Sequence, residues 1–304
     1  MNTARCYVYD MQRSADGSMI YVADAKGLRV RSANGDGTAQ TLRAGQPYFN
    51  IDVVGGVIYA ITQKNVKSPE SRQVEIIGLD GKVASHFKVG KYASRITVTP
   101  NGQKIIIGDL RNNRIEIYSR TGETLFELDL FKAVDPSDPQ STKPRKYDRL
   151  APLTDPLLSP DGKVLYLVEI GGAARPASIW QVALDDEYRV SWINLKHAAN
   201  VRGAALSPDG RFLYLGCIHH ISKIDLQERR ELAFVRTPRK IYLQEIEMSP
   251  RGDRLLVGGT LMRDLGNGKK TQDAKILEIS LDSLRAVKTH TIANFSPDNF
   301  VLWK

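Results

Sequence analysis

The stretch Ser207–Cys217 reads SPDGRFLYLGC, and Ser159–Glu169 reads SPDGKVLYLVE. Variants stand at Ser14–Asp24 (SADGSMIYVAD), Thr99–Asp109 (TPNGQKIIIGD), Ser249–Gly259 (SPRGDRLLVGG) and, cut short, Ser296–Lys304 (SPDNFVLWK). A degenerate copy, VVGGVIYAITQ, starts at Val53. Copies of one motif recurring every 40 to 60 residues or so mark a repeat architecture. Each copy carries the same local physics. Pro presets φ and Gly accepts a positive φ, which makes a tight turn. The β-branched and aromatic run after it suits a buried strand.

An alternating apolar stretch precedes each turn (Ile96 and Val98; Ala204 and Leu206; Ile246 and Met248). Two further alternating segments follow it, such as RIEIYSR then TLFELDL, or ISKIDLQ then ELAFVRT. Four short antiparallel strands per repeat, six times over, predict an all-β chain made of β-propeller blades. One such sheet alone would leave both faces wet, and stacking sheets buries them. The last copy has too little chain for a full blade before Lys304. Seven sectors with a short last one are therefore expected, six being the other count. Residues 1–304 read as one domain, with a long loop insertion at 131–152. An unfinished blade would offer an open edge to a partner's strand.

The SPDG-x-x-LYV signature resembles that of the YVTN and WD40-like bacterial β-propellers, a group that includes the lactonase (6-phosphogluconolactonase-like) family. The resemblance runs over nearly the whole chain, without the Trp-Asp dipeptide of true WD40 repeats. It implies the fold, which hosts many unrelated activities. The alternative function it implies is a lactonase-like hydrolase acting on a small sugar-acid lactone at the mouth of the central channel. An Arg would hold the acid group, and a carboxylate or His would activate water.

Composition narrows the class. Hydrophobic residues at 42% and charged residues at 25% are a globular balance. No apolar run approaches the roughly 18 residues of a membrane span, and the N-terminal MNTARCYVYDMQ lacks the apolar core of a secretory signal. Two cysteines make no disulfide framework. Free thiols and a cytoplasmic location are expected. Lys and Arg number 43 against 34 acids, a net charge of +9, which attracts acidic partners.

Up-and-down connectivity puts the SPDG turn and the turn between strands three and four at one end of every blade. The other connections lie at the opposite end, and the long insertions fall there: 64–73, 110–114, 131–152, 171–178, 236–240 and 261–274, each with a net positive charge. A scaffold that elaborates one end uses that end. Lys143, Arg145, Lys146 and Arg149 in the 131–152 loop, with Arg239 and Lys240, are the expected docking cations for an acidic protein segment. Four residues before the turn Ser or Thr stand Asp10, Arg95, Asp155, Gly203 and Glu245, with Arg202 one step earlier. These could converge on a polar small molecule or a peptide end.

Asp24, Asp109 and Glu169 close the second strands, one strand further out, where convergence on a divalent cation is poor. The five His lack metal-ligand spacing, and neither HExxH nor GxSxG occurs. No metal and no cofactor are expected. Tyr147 beside Lys146 and Arg149, and Tyr242 beside Lys240, are pairings of the kind that stacks on single-stranded nucleic acid, and two such cases support that partner only weakly. The expected function is a non-enzymatic interaction module that docks an acidic protein segment or other polyanion.

Overall fold

The computed structural model describes residues 8–62, 72–109, 112, 114–130, 154–172, 176–237, 241–266 and 269–292, with the side chains of 262–266, 269–272 and 292 left aside. Every regular element among them is a β-strand, and no helix there is long and apolar enough to cross a membrane. The strands form six four-stranded antiparallel sheets, the blades of a β-propeller. Blade I is β1–β4 (Val8–Arg13, Met19–Asp24, Gly27–Ser32, Gln40–Ala44) and blade II is β5–β8 (Tyr48–Val54, Val57–Thr62, Gln73–Gly78, Val83–Lys88). Blade III is β9–β12 (Arg95–Val98, Lys104–Asp109, Arg114–Ser119, Thr124–Asp129). Blade IV is β13–β16 (Leu157–Leu158, Val164–Val168, Ser178–Ala183, Val190–Asn194) and blade V is β17–β20 (Val201–Leu206, Phe212–Cys217, His220–Asp225, Arg230–Arg236). Blade VI is β21–β24 (Ile241–Met248, Arg254–Gly266, Lys269–Ser280, Ala286–Ile292). Six is the smaller of the two counts the repeats allow. The short seventh copy, from Ser296, lies outside the described residues.

Blades I–III form one compact unit and blades IV–VI another. Within each unit the first strands of successive blades adjoin, and apolar side chains fill the seams. Tyr48, Ile51 and Ile58 pack with Tyr21 and Leu28 between blades I and II. Ile61, Val74 and Ile76 pack with Ile96, Ile105 and Ile107 between II and III. In the other unit, Val168 and Ile179 meet Leu213, Leu215 and Ile224, and Tyr214 and Ile221 meet Leu243, Ile246 and Val257. Second strands are covered on both faces, hence continuous runs such as Ile105-Ile106-Ile107, all buried. Each such side chain contributes about 1.5–3 kcal/mol on burial.

The repeated motif is a locked turn. The hydroxyl oxygens of Ser14, Thr99, Ser159, Ser207 and Ser249 accept the N–H of the residue five places on, at 2.8–3.3 Å. Each hydroxyl donates to the carboxylate or amide of Asp16, Asn101, Asp161, Asp209 or Asp253 at 2.5–2.8 Å. The Ser hydroxyl pulls the Asp16 carboxyl down to about 2, and the same bond lowers Asp161, Asp209 and Asp253. The turn glycines have φ near +70°: Gly17, Gly102, Gly162, Gly210 and Gly252 lie between 69° and 71°. The Pro has a role beyond its own φ. A Cβ on Gly210 would stand 2.8 Å from Pro160 Cδ, and one on Gly252 would collide with Pro208 Cγ. Gly210 and Gly252 thus seat against the Pro of the preceding blade's turn.

One expected loop is a ribbon. Residues 261–274 read as an irregular insertion, yet the ladder between β22 and β23 continues through Leu261↔Asp273 and Arg263↔Thr271 to Gly266↔Lys269. Asn267-Gly268 at its tip is a short hairpin signal.

Candidate docking surfaces and the polar seams between blades

First strands carry a bulge near their loop-side end in four blades. The register slips between Val8 and Asp10, Tyr48 and Asn50, Val201 and Gly203, and Leu243 and Glu245. A bulge re-aims the side chain that follows it. In blade I that side chain is Asp10, buried, whose Oδ2 accepts Asn50 Nδ2 at 2.6 Å and the Ile51 N–H at 2.9 Å, while Oδ1 accepts the Met11 N–H. In blade II it is Asn50, whose Oδ1 accepts the Ile96 N–H of blade III at 2.7 Å. Asp52 Oδ2 repeats the device on the Val98 N–H at 2.7 Å. Polar side chains of blades I and II thus clasp the first strand of the next blade.

Sequence reasoning placed Asp10 in this series but missed Asn50 and Asp52. The reason is local. Blade II turns through Gly55 and Gly56 with Val54 paired to Val57, without the Ser or Thr from which the others are counted. Arg95 lies half-buried at the matching place in blade III, paired across to Gly108, its Nη1 donating to the Ser94 carbonyl. In the other unit Glu245 Oε1 accepts the Ile246 N–H at 3.1 Å and leaves room for no Cβ at Gly203. Asp155 is half-buried beside Thr154, whose N–H donates to the Val168 carbonyl. Arg202, the extra residue of the blade V bulge, is exposed. Lys143, Arg145, Lys146, Arg149, Arg239 and Lys240 lie outside the described residues.

The carboxylates that close the second strands are engaged locally. Asp24 accepts the Lys26 and Gly27 N–H groups and pairs with Arg29. Asp109 accepts Asn112 N and Nδ2. Glu169 is buried. Among the described residues no three His, Cys, Asp or Glu side chains are placed to hold a metal ion.

At the loop ends, Lys26, Lys88 and Lys91 in one unit, and Lys196, Arg202 and Arg236 in the other, are exposed and form no ion pair among the described residues. Of the carboxylates described at the same ends, Asp10, Asp24, Asp109, Asp155, Glu169 and Glu245 are buried or half-buried, while Glu127 is exposed and pairs with Arg114 at 2.9 Å. Aromatic rings accompany the cations in the first unit. Tyr9 stacks on Phe49 at 6.0 Å, the Arg72 guanidinium lies 4.6 Å from the Phe49 centroid, and the Lys91 ammonium lies 4.7 Å from that of Tyr92. At the opposite ends, acids and bases are interleaved, with Asp80–Lys82, Asp186–Arg189, Asp225–Arg211 and Glu228–Arg230 pairs.

A second polar seam lies between blades IV and V. Glu231 Oε2 accepts the Lys196 and His197 N–H groups and stands 3.3 Å from His197 Nδ1. The Phe234 ring lies between the imidazoles of His197 and His220, at 5.4 and 4.4 Å. Glu231 Oε1, Ser222 Oγ and His220 Nε2 are buried without a hydrogen bond. His219 turns away to Tyr242. Ser222 is fully buried, out of reach of a substrate. Burial drives Cys217 up to about 12, which keeps it a thiol.

Burial also pushes His220 down to about 4, against the attraction of Glu231 and with help from His219, Arg236 and His197. The unfolded chain takes up this proton near pH 6.5 and the folded chain resists it. Stability should therefore fall as pH drops from about 6.5 towards 4, by about 1–2 kcal/mol after allowance for solvent screening. Urea midpoints measured across that range check it, and His220→Gln should flatten the dependence.

No family model matches this chain, and no curated protein matches it either. The blades, the clasps and the charge at the loop ends are therefore what a functional reading rests on.

Proposed function

We propose that the chain is a non-enzymatic interaction module whose loop ends dock an acidic protein segment, a propeller of the YVTN and WD40-like kind as its SPDG turns suggest. One observation supports the reading: at the loop ends Lys26, Lys88, Lys91, Lys196, Arg202 and Arg236 are exposed and form no ion pair among the described residues, while the carboxylates of Asp10, Asp24 and Glu245 turn inward onto backbone N–H groups. An acidic segment approaching these cations is attracted, and the attraction steers encounter and weakens with salt. The rings beside Lys91 and Arg72 add apolar contact area of the sort that anchors interfaces.

The test is the binding of a labelled poly-glutamate peptide at low and high salt. Replacing Lys91, Arg202 and Arg236 by Gln should weaken it about tenfold, since each exposed charge contributes up to about 1 kcal/mol. The melting temperature should barely move. Replacing Lys143, Arg145, Lys146 and Arg149 by Gln should weaken binding further and flatten its salt dependence. Unchanged affinity in both variants would remove the proposal.

A further inference from the structure

At the tight-turn end of blades IV and V, Val164, Gln181, Ala183, Arg189, Ser191 and Arg229 line a cavity of about 360 Å³, within the size range of small-ligand sites. Its polar groups are mostly donors, and no carboxylate belongs to its lining. Arg229 Nη1 donates to Gln181 Oε1 at 2.6 Å and Nη2 to the Trp192 carbonyl at 2.7 Å. Ser191 Oγ donates to the same Gln181 oxygen at 3.2 Å. The amide oxygen is thereby saturated, and its NH₂ group hydrogen-bonds no described residue. Arg189 is neutralised by Asp186 at 2.8 Å, whereas Arg229 has no carboxylate partner among the described residues.

The turn that presents Arg229 is built to hold it. Asp225 is fully buried, and its Oδ1 accepts the N–H groups of Gln227 and Glu228 at 2.9 Å each. Arg211 grips Asp225 Oδ2 with two N–H groups at 3.1 and 3.0 Å. The chain then passes through the left-handed region at Arg229, φ 55°, and in the facing turn at Glu187 and Tyr188, φ 47° and 56°, just before Arg189. L-residues adopt that region at a cost, and the Asp225–Arg211 contacts hold the turn that carries Arg229 in it.

We infer that this cavity is a binding site for a small monocarboxylate with a short aliphatic body. Arg229 supplies the one uncompensated positive charge, and the Gln181 amide and Arg189 supply further donors for a planar anion. Val164 and Ala183 supply the apolar wall. Two negative charges would leave one unpaired in a half-enclosed site, which disfavours a dianion. The site lies at the opposite end of the blades from the docking surfaces and stands or falls independently of them.

Hexanoate, hexanamide and inorganic phosphate serve as probes, titrated into the full chain by calorimetry or ligand-observed NMR. Hexanoate should bind at least tenfold more tightly than its neutral amide and than phosphate. Arg229→Asn, which tolerates the left-handed backbone while removing the cation, should weaken hexanoate tenfold or more and leave hexanamide unchanged. Arg189→Gln and Gln181→Met should weaken it too, and they carry the test if the Arg229 variant does not fold. Hexanoate binding no more tightly than hexanamide, equal binding to the Arg229→Asn protein, or no binding of hexanoate would each overturn the inference.

Discussion

Gly210→Ala is expected to destabilise the chain by about 2–5 kcal/mol. Two costs add. The left-handed backbone at φ +70° penalises any Cβ by about 1–2 kcal/mol, and the new methyl would stand 2.8 Å from Pro160 Cδ of the preceding blade, an overpacking cost of about 1–3 kcal/mol. Only the second depends on Pro160. In a Pro160→Ala background the same substitution should therefore cost less, and the double-mutant cycle should return a coupling of about 1 kcal/mol. Gly37→Ala, at φ +82° with no neighbour within 4 Å of the new Cβ, should show the backbone penalty alone. Denaturant midpoints of the four proteins of the cycle, with Gly37→Ala as control, measure all of this. Strict additivity would mean that the turns of successive blades do not touch.

Asp10→Ala is expected to cost about 3–5 kcal/mol, because a buried acceptor of several hydrogen bonds is lost. The loss strands three donors at once: the Asn50 amide, the Ile51 N–H and the Met11 N–H. A buried donor left without an acceptor costs about 1–3 kcal/mol. Asn50→Asp should be damaging for a different reason, since it sets a second carboxylate against Asp10 Oδ2. Asp10→Asn keeps one acceptor and should be milder than Asp10→Ala. Thermal melts with circular dichroism order the three. Asp10→Ala melting with the wild type would mean that the first strands are not stitched by these side chains.

The fold was legible because the same turn is written several times, and its letters are constrained by contacts that recur. Ser207 and Asp209 answer each other, Gly210 needs its φ, and Pro160 meets that glycine. The strands after the turns were equally plain, since sheets covered on both faces demand runs such as Ile105-Ile106-Ile107. The ribbon of β22 and β23 was not legible because its charged residues outweighed the Asn267-Gly268 hairpin signal in the sequence. The sites were less legible. Asp10 and Glu245 look alike in sequence, yet one clasps a neighbouring strand through two hydrogen bonds and the other crowds Gly203. Bulges decide this, and no residue type announces a bulge. Arg229 and Gln181 were invisible for a related reason: they lie 48 positions apart and meet only because blade V packs on blade IV.

The claim that the loop ends are the docking ends is tested most directly by hydrogen–deuterium exchange of the full chain with and without saturating poly-glutamate peptide. The account predicts slower exchange at the loop-end backbone around Lys26, Lys91, Arg202 and Arg236, with the turns at Ser14–Ser18 and Ser207–Arg211 unaffected. Slowing confined to those turns, or none anywhere, would contradict it.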